Sequence, residues 1–256
     1  MENVVLKEGR YIYCIIELNE PRSFGPFGIG GRADELHSIC YDGLAAIVSN
    51  SPIKIYSCMR DNMIAHESAI EKVMKEYTVL PVRFNTIAED EEKIKKILEI
   101  DHDKFKDKLN DMEGKKELGL KAIFKEDILY KEILEKYDDI KILKEKIAQL
   151  PPEKTFHQRR EIGKMVETAL QNEREISQKE ILDTLIPLAE DHKINSIYGD
   201  IMILSAAFLV NKEKEPEFDR KVDELNTKYG NKIRFKYIGT VPPFNFVNLV
   251  IETGKY

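Results

Sequence analysis

The chain has 256 residues, of which 42% are hydrophobic and 34% are charged, as in a folded protein with a highly charged surface. Its length accommodates two domains of modest size. A formal net charge of -6, without any basic cluster, argues against a nucleic-acid partner. The three cysteines lack metal-ligand spacing and are expected to be reduced. Because no apolar run is long enough to cross a bilayer, we expect a cytosolic protein without a membrane partner.

The first half of the chain alternates strand patterns with helical patterns. Asp42-Gly43 separates two short apolar runs and is a strong signal for a two-residue hairpin turn. Pro81 favours an edge position for the strand that contains it, because proline cannot donate a hydrogen bond to a neighbouring strand. The predicted elements are strands 11–17, 35–41, 44–49 and 79–87 and helices 61–77 and 89–109.

A glycine-rich loop, residues 24–33, follows the first predicted strand. It contains Gly28-x-Gly30-x-x-Ala33, which has the form of a dinucleotide-binding fingerprint. The loop begins well after the strand ends, however, and it leads into another strand instead of a helix. No acidic residue stands about 20 positions further on to bind a ribose. We therefore expect a mobile loop without a nucleotide site.

In the second half, two long helical patterns precede a mixed strand and helix region. Pro151-Pro152 separates the two helices, which we expect to form a helical hairpin over residues 126–188. The run 201–210 is apolar on both alternating faces, so this strand should be covered on both sides. The predicted elements are strands 118–125, 193–198, 201–210 and 233–238 and helices 126–150, 157–188 and 216–229.

The last strand leads into the motif Gly239–Val247, which contains Pro242 and Pro243. The two prolines remove consecutive backbone donors and should end the strand. Phe244 and Phe246 follow at a spacing of two, which in an extended segment places both rings on one side. We expect these two rings to pack the end of the chain onto a core.

The order of elements predicts an α+β protein with two ferredoxin-like domains of the β-α-β-β-α-β type, each built on an antiparallel sheet. The first domain, residues 1–113, has the glycine loop in place of a regular first helix. The second domain, residues 114–256, contains the helical hairpin and the Pro-Pro-Phe tail. RNA-recognition domains share this topology, but their aromatic strand signature is absent here.

No constellation of residues indicates catalysis, cofactor binding or a metal site. There is no nucleophile elbow, no Cys/His pair at a familiar spacing and no cluster of histidines with carboxylates. His66 lies on the apolar face of helix 61–77, where a hydrogen-bonded, partly buried histidine is the expected role. We therefore predict a protein that is not an enzyme.

Six short segments occur in a characteristic order: Tyr11–Tyr13, Asp42–Ser49, Ile64–His66, Val79–Phe84, Ala206–Val210 and Gly239–Phe246. Taken together, they resemble the gas vesicle proteins F and L (GvpF/GvpL) over nearly the whole chain. The resemblance favours the F type through residues 52–56. It departs at Thr240 and Val241, where the family has Pro-Trp, and at Asn85, where glycine is usual.

The resemblance implies a non-enzymatic accessory protein and minor component of gas vesicles, present in the vesicle and in the cytoplasm. It implies binding to the hydrophobic major shell protein, GvpA, and protection of that subunit from aggregation during nucleation and assembly. Other gas vesicle accessory proteins are further candidate partners. The alternative is a ligand-responsive ferredoxin-like regulatory module, with a cleft near the glycine loop and His66.

For the partner-binding surface, the sequence favours the first domain. Its glycine loop and Pro81-bearing strand leave more backbone uncommitted than the doubly covered sheet of the second domain. The candidate residues are Phe24, Phe27, Ile29, Pro81 and Arg83.

Overall fold

The computed structural model describes residues 7–255, and its helices and strands follow the predicted order with two differences. An additional strand occurs at Ser23–Pro26, and the strand predicted over 193–198 lies at Asp191–Ile194. The strands are β1 (Glu8–Glu17), β2 (Ser23–Pro26), β3 (Glu35–Tyr41), β4 (Leu44–Pro52), β5 (Leu80–Pro81), β6 (Ile87–Ala88), β7 (Lys115–Phe124), β8 (Asp191–Ile194), β9 (Met202–Asn211) and β10 (Ile233–Val241). The helices are α1 (Arg60–Met74), α2 (Glu91–Ile100), α3 (His102–Met112), α4 (Glu126–Lys136), α5 (Asp138–Ala148), α6 (Phe156–Leu185) and α7 (Glu215–Tyr229).

Three predicted elements are broken in the structure. The strand predicted over 79–87 is reduced to β5 and β6, because Asn85 between them has a left-handed φ of 69°. The helix predicted over 89–109 is divided into α2 and α3 at Asp101. The first arm of the hairpin is divided into α4 and α5 at Tyr137, whose ψ of 86° is not helical. Apolar periodicity continues across both helix breaks, so it could not reveal them.

The chain forms two compact units. One comprises the described residues up to Glu117 together with those from Thr240 onwards, and the other comprises Leu118–Gly239. The two boundaries fall inside β7 and β10. The mixed architecture with two antiparallel sheets that the sequence predicts is confirmed.

The first unit is built on a sheet with the order β2-β3-β4-β1-β5, in which β6 also pairs with β1. Its hairpin of β3 and β4 turns at Asp42 and Gly43, which have φ values of 43° and 83°. Because β1 is buried on both faces, it separates two hydrophobic clusters. One cluster includes residues of α2 and α3, and the other includes residues of α1 and of the glycine loop.

The second unit has the strand order β10-β7-β9-β8, the arrangement of a β-α-β-β-α-β unit. Residues 203–210 of β9 are buried, as the two apolar faces of this strand predict. The long helix α6 packs against both α4 and α5, and α5 reaches it through a short connection that includes a 3-10 turn. Glu173 of α6 is buried and accepts hydrogen bonds from Lys136 and Tyr137.

The tail after β10 packs in the first unit, although the predicted domain 114–256 includes it. Residues 244–246 form a turn, so the extended spacing of two begins only afterwards. Val247, Leu249 and Ile251 are therefore the residues that enter a hydrophobic cluster. The prediction that Phe244 is a core anchor was wrong, since this ring is 41% exposed.

Candidate functional site

A cavity of about 390 Å³ opens in the first unit and is the strongest candidate for a functional site. Three separate segments form its wall: residues 63–67 of α1, residues 81–84, which begin in β5, and residues 244–249 of the tail. The volume lies within the usual range for ligand pockets, which are mostly apolar with few polar groups. Beside the cavity, Val82 forms an isolated β-bridge with Leu249 of the tail.

His66 lies at the centre of an aromatic cluster in this wall. Its ring centroid is 5.5 Å from that of Phe84 and 6.1 Å from that of Phe244. The rings of Tyr11 and Tyr13 lie at 5.6 and 5.7 Å. The histidine is only 2% exposed. The cavity therefore has an aromatic wall that contains one buried imidazole.

Burial keeps this imidazole neutral. Loss of solvation lowers the pKa of His66 to about 4, and the nearby Val82 carbonyl opposes this effect only in part. Nδ1 lies 3.1 Å from the Tyr11 hydroxyl. Nε2 is buried and has no hydrogen-bond partner of acceptable distance and angle among the described residues.

A hydrogen-bonded network holds the aromatic wall in place. The Asn85 backbone N–H donates to the Tyr11 hydroxyl at 3.0 Å. The Asn85 side chain accepts from the Tyr56 N–H and donates to the Tyr56 carbonyl, both at 2.8 Å. Asparagine adopts left-handed backbone more readily than other side chains, which explains how it stands where the resembling family has glycine.

The tail is fixed by a buried carboxylate. Glu117 is 3% exposed and accepts two hydrogen bonds from Asn245, one from the backbone N–H and one from the side-chain amide. The Arg83 N–H donates to the Leu249 carbonyl at 3.3 Å. These contacts position Phe244 over His66.

The rim of the cavity combines exposed apolar side chains with two charges. Met63 and Phe244 are 42% and 41% exposed. Arg83 is exposed, and its guanidinium makes no ion pair or hydrogen bond among residues 7–255. The pKa of Glu67 is raised by burial and by Glu71, and its carboxylate has no partner in the same range.

The structure separates the predicted partner-binding residues into two groups. Pro81 and Arg83 line the cavity. Phe24 and Ile29 are buried in a hydrophobic cluster, whereas Phe27 is 37% exposed. Part of the glycine loop is packed, since Ile29 is buried and its N–H donates to the buried Tyr13 hydroxyl at 2.8 Å.

The sequence patterns indicate His66 and Phe244 separately and do not predict that they lie close together. The two residues fall in different predicted domains, and the only signal that connects them is their common membership of the resembling family's motifs. No group of three or more potential metal ligands occurs in the described part of the chain. Among the described helices, none is long and apolar enough to span a membrane.

A family model described as "Gas vesicle synthesis protein GvpL/GvpF" matches residues 9–248. Gas vesicle protein F of Dolichospermum flosaquae is 26% identical over 93% of this chain and 97% of that protein. Gas vesicle protein F1 of Halobacterium salinarum is 26% identical over 96% of each chain. The crystal structure of GvpF from Anabaena sp. PCC7120 matches with a TM-score of 0.80 at 22% identity, covering 94% of this chain and 99% of that one.

Proposed function

Because the chain belongs to the GvpL/GvpF family of gas vesicle synthesis proteins, we propose that it is a non-enzymatic accessory protein that binds the major shell protein, GvpA. Binding limits aggregation of the shell subunit while vesicles nucleate and grow. The two relatives described above are gas vesicle proteins of the F type, and residues 52–56 of this chain also resemble the F type. The protein acts in the cytoplasm and at the vesicle, where it is a minor component.

The cavity of the first unit is the observation that carries this proposal. A subunit that lines a gas-filled wall has an apolar face that aggregates in water unless it is covered. The cavity offers aromatic and aliphatic surface with exposed Met63 and Phe244 at its edge. A highly charged protein with such a groove can cover an apolar segment reversibly.

A binding and aggregation assay tests the proposal. Immobilised protein is incubated with freshly solubilised GvpA, and light scattering follows GvpA aggregation with and without an equimolar amount of the protein. We expect retention of GvpA and a delayed rise in scattering. If GvpA is neither retained nor kept dispersed, the proposal is wrong.

The glycine loop supplies a second proposed contact. Phe27 is the exposed aromatic residue of the predicted binding segment 24–27, whereas Phe24 supports the core. Phe27→Ser should weaken GvpA retention without lowering the melting temperature, because the ring is already partly in water. Unchanged retention would remove the loop from the binding surface.

A further inference from the structure

We propose that an open sheet face of the second unit binds an acidic amphipathic helix of a partner protein. The contacts are the cations of Lys121, Arg234 and Lys236 and the apolar side chain of Ile238. This surface lies on β7 and β10 and shares no residue with the cavity of the first unit. The inference goes beyond the proposed function and does not rest on it.

The helices of the second unit pack on one face of β7 and β10. Alternate residues of the two strands belong to a hydrophobic cluster that includes residues of α4, α6 and α7. These strand residues are Leu118, Leu120, Ala122, Phe124, Ile233, Phe235 and Tyr237. Because side chains alternate between the faces of a strand, the residues between them point to the opposite face. This opposite face, called the β7–β10 face below, carries Gly119, Lys121, Ile123, Arg234, Lys236 and Ile238.

Two contacts fix the pairing of β7 with β10. The Lys125 N–H donates to the Lys232 carbonyl at 2.8 Å. At the other end, a Cβ added at Gly119 would lie 3.7 Å from the Cβ of Ile238. Both contacts belong to one antiparallel register, since six residues back along β7 correspond to six residues forward along β10. Lys121 therefore lies opposite Lys236.

The three cations of the β7–β10 face are not used within the chain. Lys121, Arg234 and Lys236 are exposed, and none of them makes an ion pair or a side-chain hydrogen bond with another residue in the range 7–255. Two lysines directly opposite each other on neighbouring strands repel and destabilise the sheet. The stability of the fold therefore does not explain why these cations stand together.

Protection of a sheet edge explains only part of this arrangement. Charged side chains on an edge strand hinder pairing with another chain, which accounts for Arg234 and Lys236 on β10. It does not account for Lys121, because β7 lies inside the sheet between β10 and β9. An anionic partner accounts for all three cations.

An exposed apolar side chain lies beside the cations. Ile238 is 49% exposed. It stands next to Gly119, and a Cβ added there would meet no other atom than that of Ile238 within 4 Å. The space above this part of β7 is therefore open, and a partner side chain can reach Ile238 from it. The occupant thus needs acidic groups together with an apolar side chain.

An acidic amphipathic helix fits these groups better than a nucleic acid or a membrane. Residues one helical turn apart have Cβ atoms about 5–6 Å apart, close to the roughly 4.5–5.5 Å between opposite strand residues. Two glutamates of one helix face can therefore reach Lys121 and Lys236. Single-stranded nucleic acids stack on aromatic side chains, and none of the six residues of the β7–β10 face is aromatic. The net charge of -6 opposes a long polyanion or an anionic bilayer.

Peptide binding to charge-reversed variants tests the proposal. The probe is a fluorescein-labelled, alanine-based helical peptide with glutamate, leucine and glutamate one turn apart on one face. Fluorescence polarisation at low ionic strength measures its affinity for the whole protein. We expect the double variant Lys121→Glu/Lys236→Glu to bind about tenfold more weakly than wild type, because attraction becomes repulsion at two positions.

The matched control is the double variant Lys141→Glu/Lys144→Glu. Both positions are exposed on α5, whose Ile140 packs in the core on the helix-covered side of the sheet. The control makes the same change in net charge and should stay within about twofold of wild type, since salt screens distant exposed charges. The melting temperatures of both double variants report whether they are folded.

Two single variants test the apolar contact and the lysine pair. Ile238→Ser should weaken binding of the leucine peptide roughly threefold and leave unchanged the binding of a peptide with serine in place of leucine. Lys121→Glu should weaken peptide binding but raise the melting temperature by about 1–3 °C, because an opposite-charge pair replaces the like-charge pair. A lower melting temperature would contradict the register that places the two lysines together.

The proposal is overturned if the acidic peptide does not bind wild type or binds the two double variants alike. It is also overturned if a peptide with lysine in place of both glutamates binds wild type equally well. Labelled oligothymidylate and phosphatidylglycerol vesicles are tested in parallel. If either binds through Lys121 and Lys236 while the acidic peptide does not bind, the β7–β10 face serves a nucleic acid or a membrane. GvpA retention is a separate result, because no variant lines the cavity.

Discussion

Asn245 is held by both oxygens of Glu117, with its backbone N–H 3.0 Å from Oε2 and its side-chain nitrogen 2.6 Å from Oε1. The two residues lie 128 positions apart in sequence. A buried carboxylate that accepts from two donors of one residue fixes the direction of the backbone as well as its position. This contact explains why the tail can form one wall of the cavity.

Replacing Glu117 with glutamine should loosen the tail. Glutamine keeps the volume of the side chain, but its amide nitrogen would face one of the two Asn245 donors. We expect a loss of roughly 1–3 kcal/mol in the stability of the tail contact. Amide hydrogen exchange should accelerate in peptides that cover residues 244–251.

The control for this experiment is Glu113→Gln, a nearby exposed position. It removes the same charge without affecting the tail. Equal exchange in the two variants would show that general charge, and not the paired hydrogen bonds, orders residues 244–251.

The stability of the first unit should fall as the pH drops from about 6.5 towards 4. The folded state keeps His66 neutral with a pKa of about 4, whereas the unfolded chain binds a proton near pH 6.5. Below that pH the unfolded state holds more protons, so acid favours unfolding. Between pH 7 and pH 5 this histidine should account for a loss of about 2 kcal/mol.

Urea titrations of wild type and His66→Phe at both pH values isolate this effect. Other titrating groups contribute equally to both proteins and cancel in the difference. The variant should lose about 2 kcal/mol less than wild type on acidification. A parallel loss in the two proteins would contradict a buried neutral histidine.

Gly30 should tolerate alanine less well than its neighbour Gly31. Both have left-handed backbone, with φ values of 78° and 73°. A Cβ at Gly30 would lie 2.8 Å from the Tyr56 ring, whereas a Cβ at Gly31 would meet nothing within 4 Å. Each substitution carries about 1–2 kcal/mol of backbone strain, and only Gly30→Ala adds a clash of roughly 1–3 kcal/mol. Melting temperatures of the two variants would give the comparison, and similar values would contradict the close approach.

Asn85→Gly should be milder than Asn85→Ala. Both variants lose the two side-chain hydrogen bonds to Tyr56, but glycine relieves the left-handed backbone while alanine does not. We expect alanine to be the less stable variant by about 1 kcal/mol. Denaturant titration measures this difference. A more stable alanine variant would show that φ at this position is not maintained.

Local patterns predicted the elements with regular periodicity. The hairpin turn at Asp42-Gly43 and the doubly buried β9 follow directly from residue type and spacing. The breaks at Asp101 and Tyr137 do not, because a change in two dihedral angles leaves the apolar stripe intact. The packing at Ile29 and Gly30 also escaped prediction, since it involves the distant side chains of Tyr13 and Tyr56.

The candidate site was less accessible to prediction than the fold. Pro81 and Arg83 were expected on a binding surface, and they do line the cavity. The contribution of tail residues 244–249 to the cavity could not be predicted. The double proline indicates where β10 ends, but it does not indicate which core the following residues enter. In the structure, the distant carboxylate of Glu117 is one of the groups that bind these residues.

The route of the tail has a consequence for protein synthesis. Val247, Leu249 and Ile251 complete a hydrophobic cluster whose other members are made much earlier, all before residue 113. A ribosome must therefore translate the whole of Leu118–Gly239 before the first unit can close its core. Until then, part of this hydrophobic cluster stays exposed on the nascent chain. The first unit therefore completes its core only after all of Leu118–Gly239 has been synthesised.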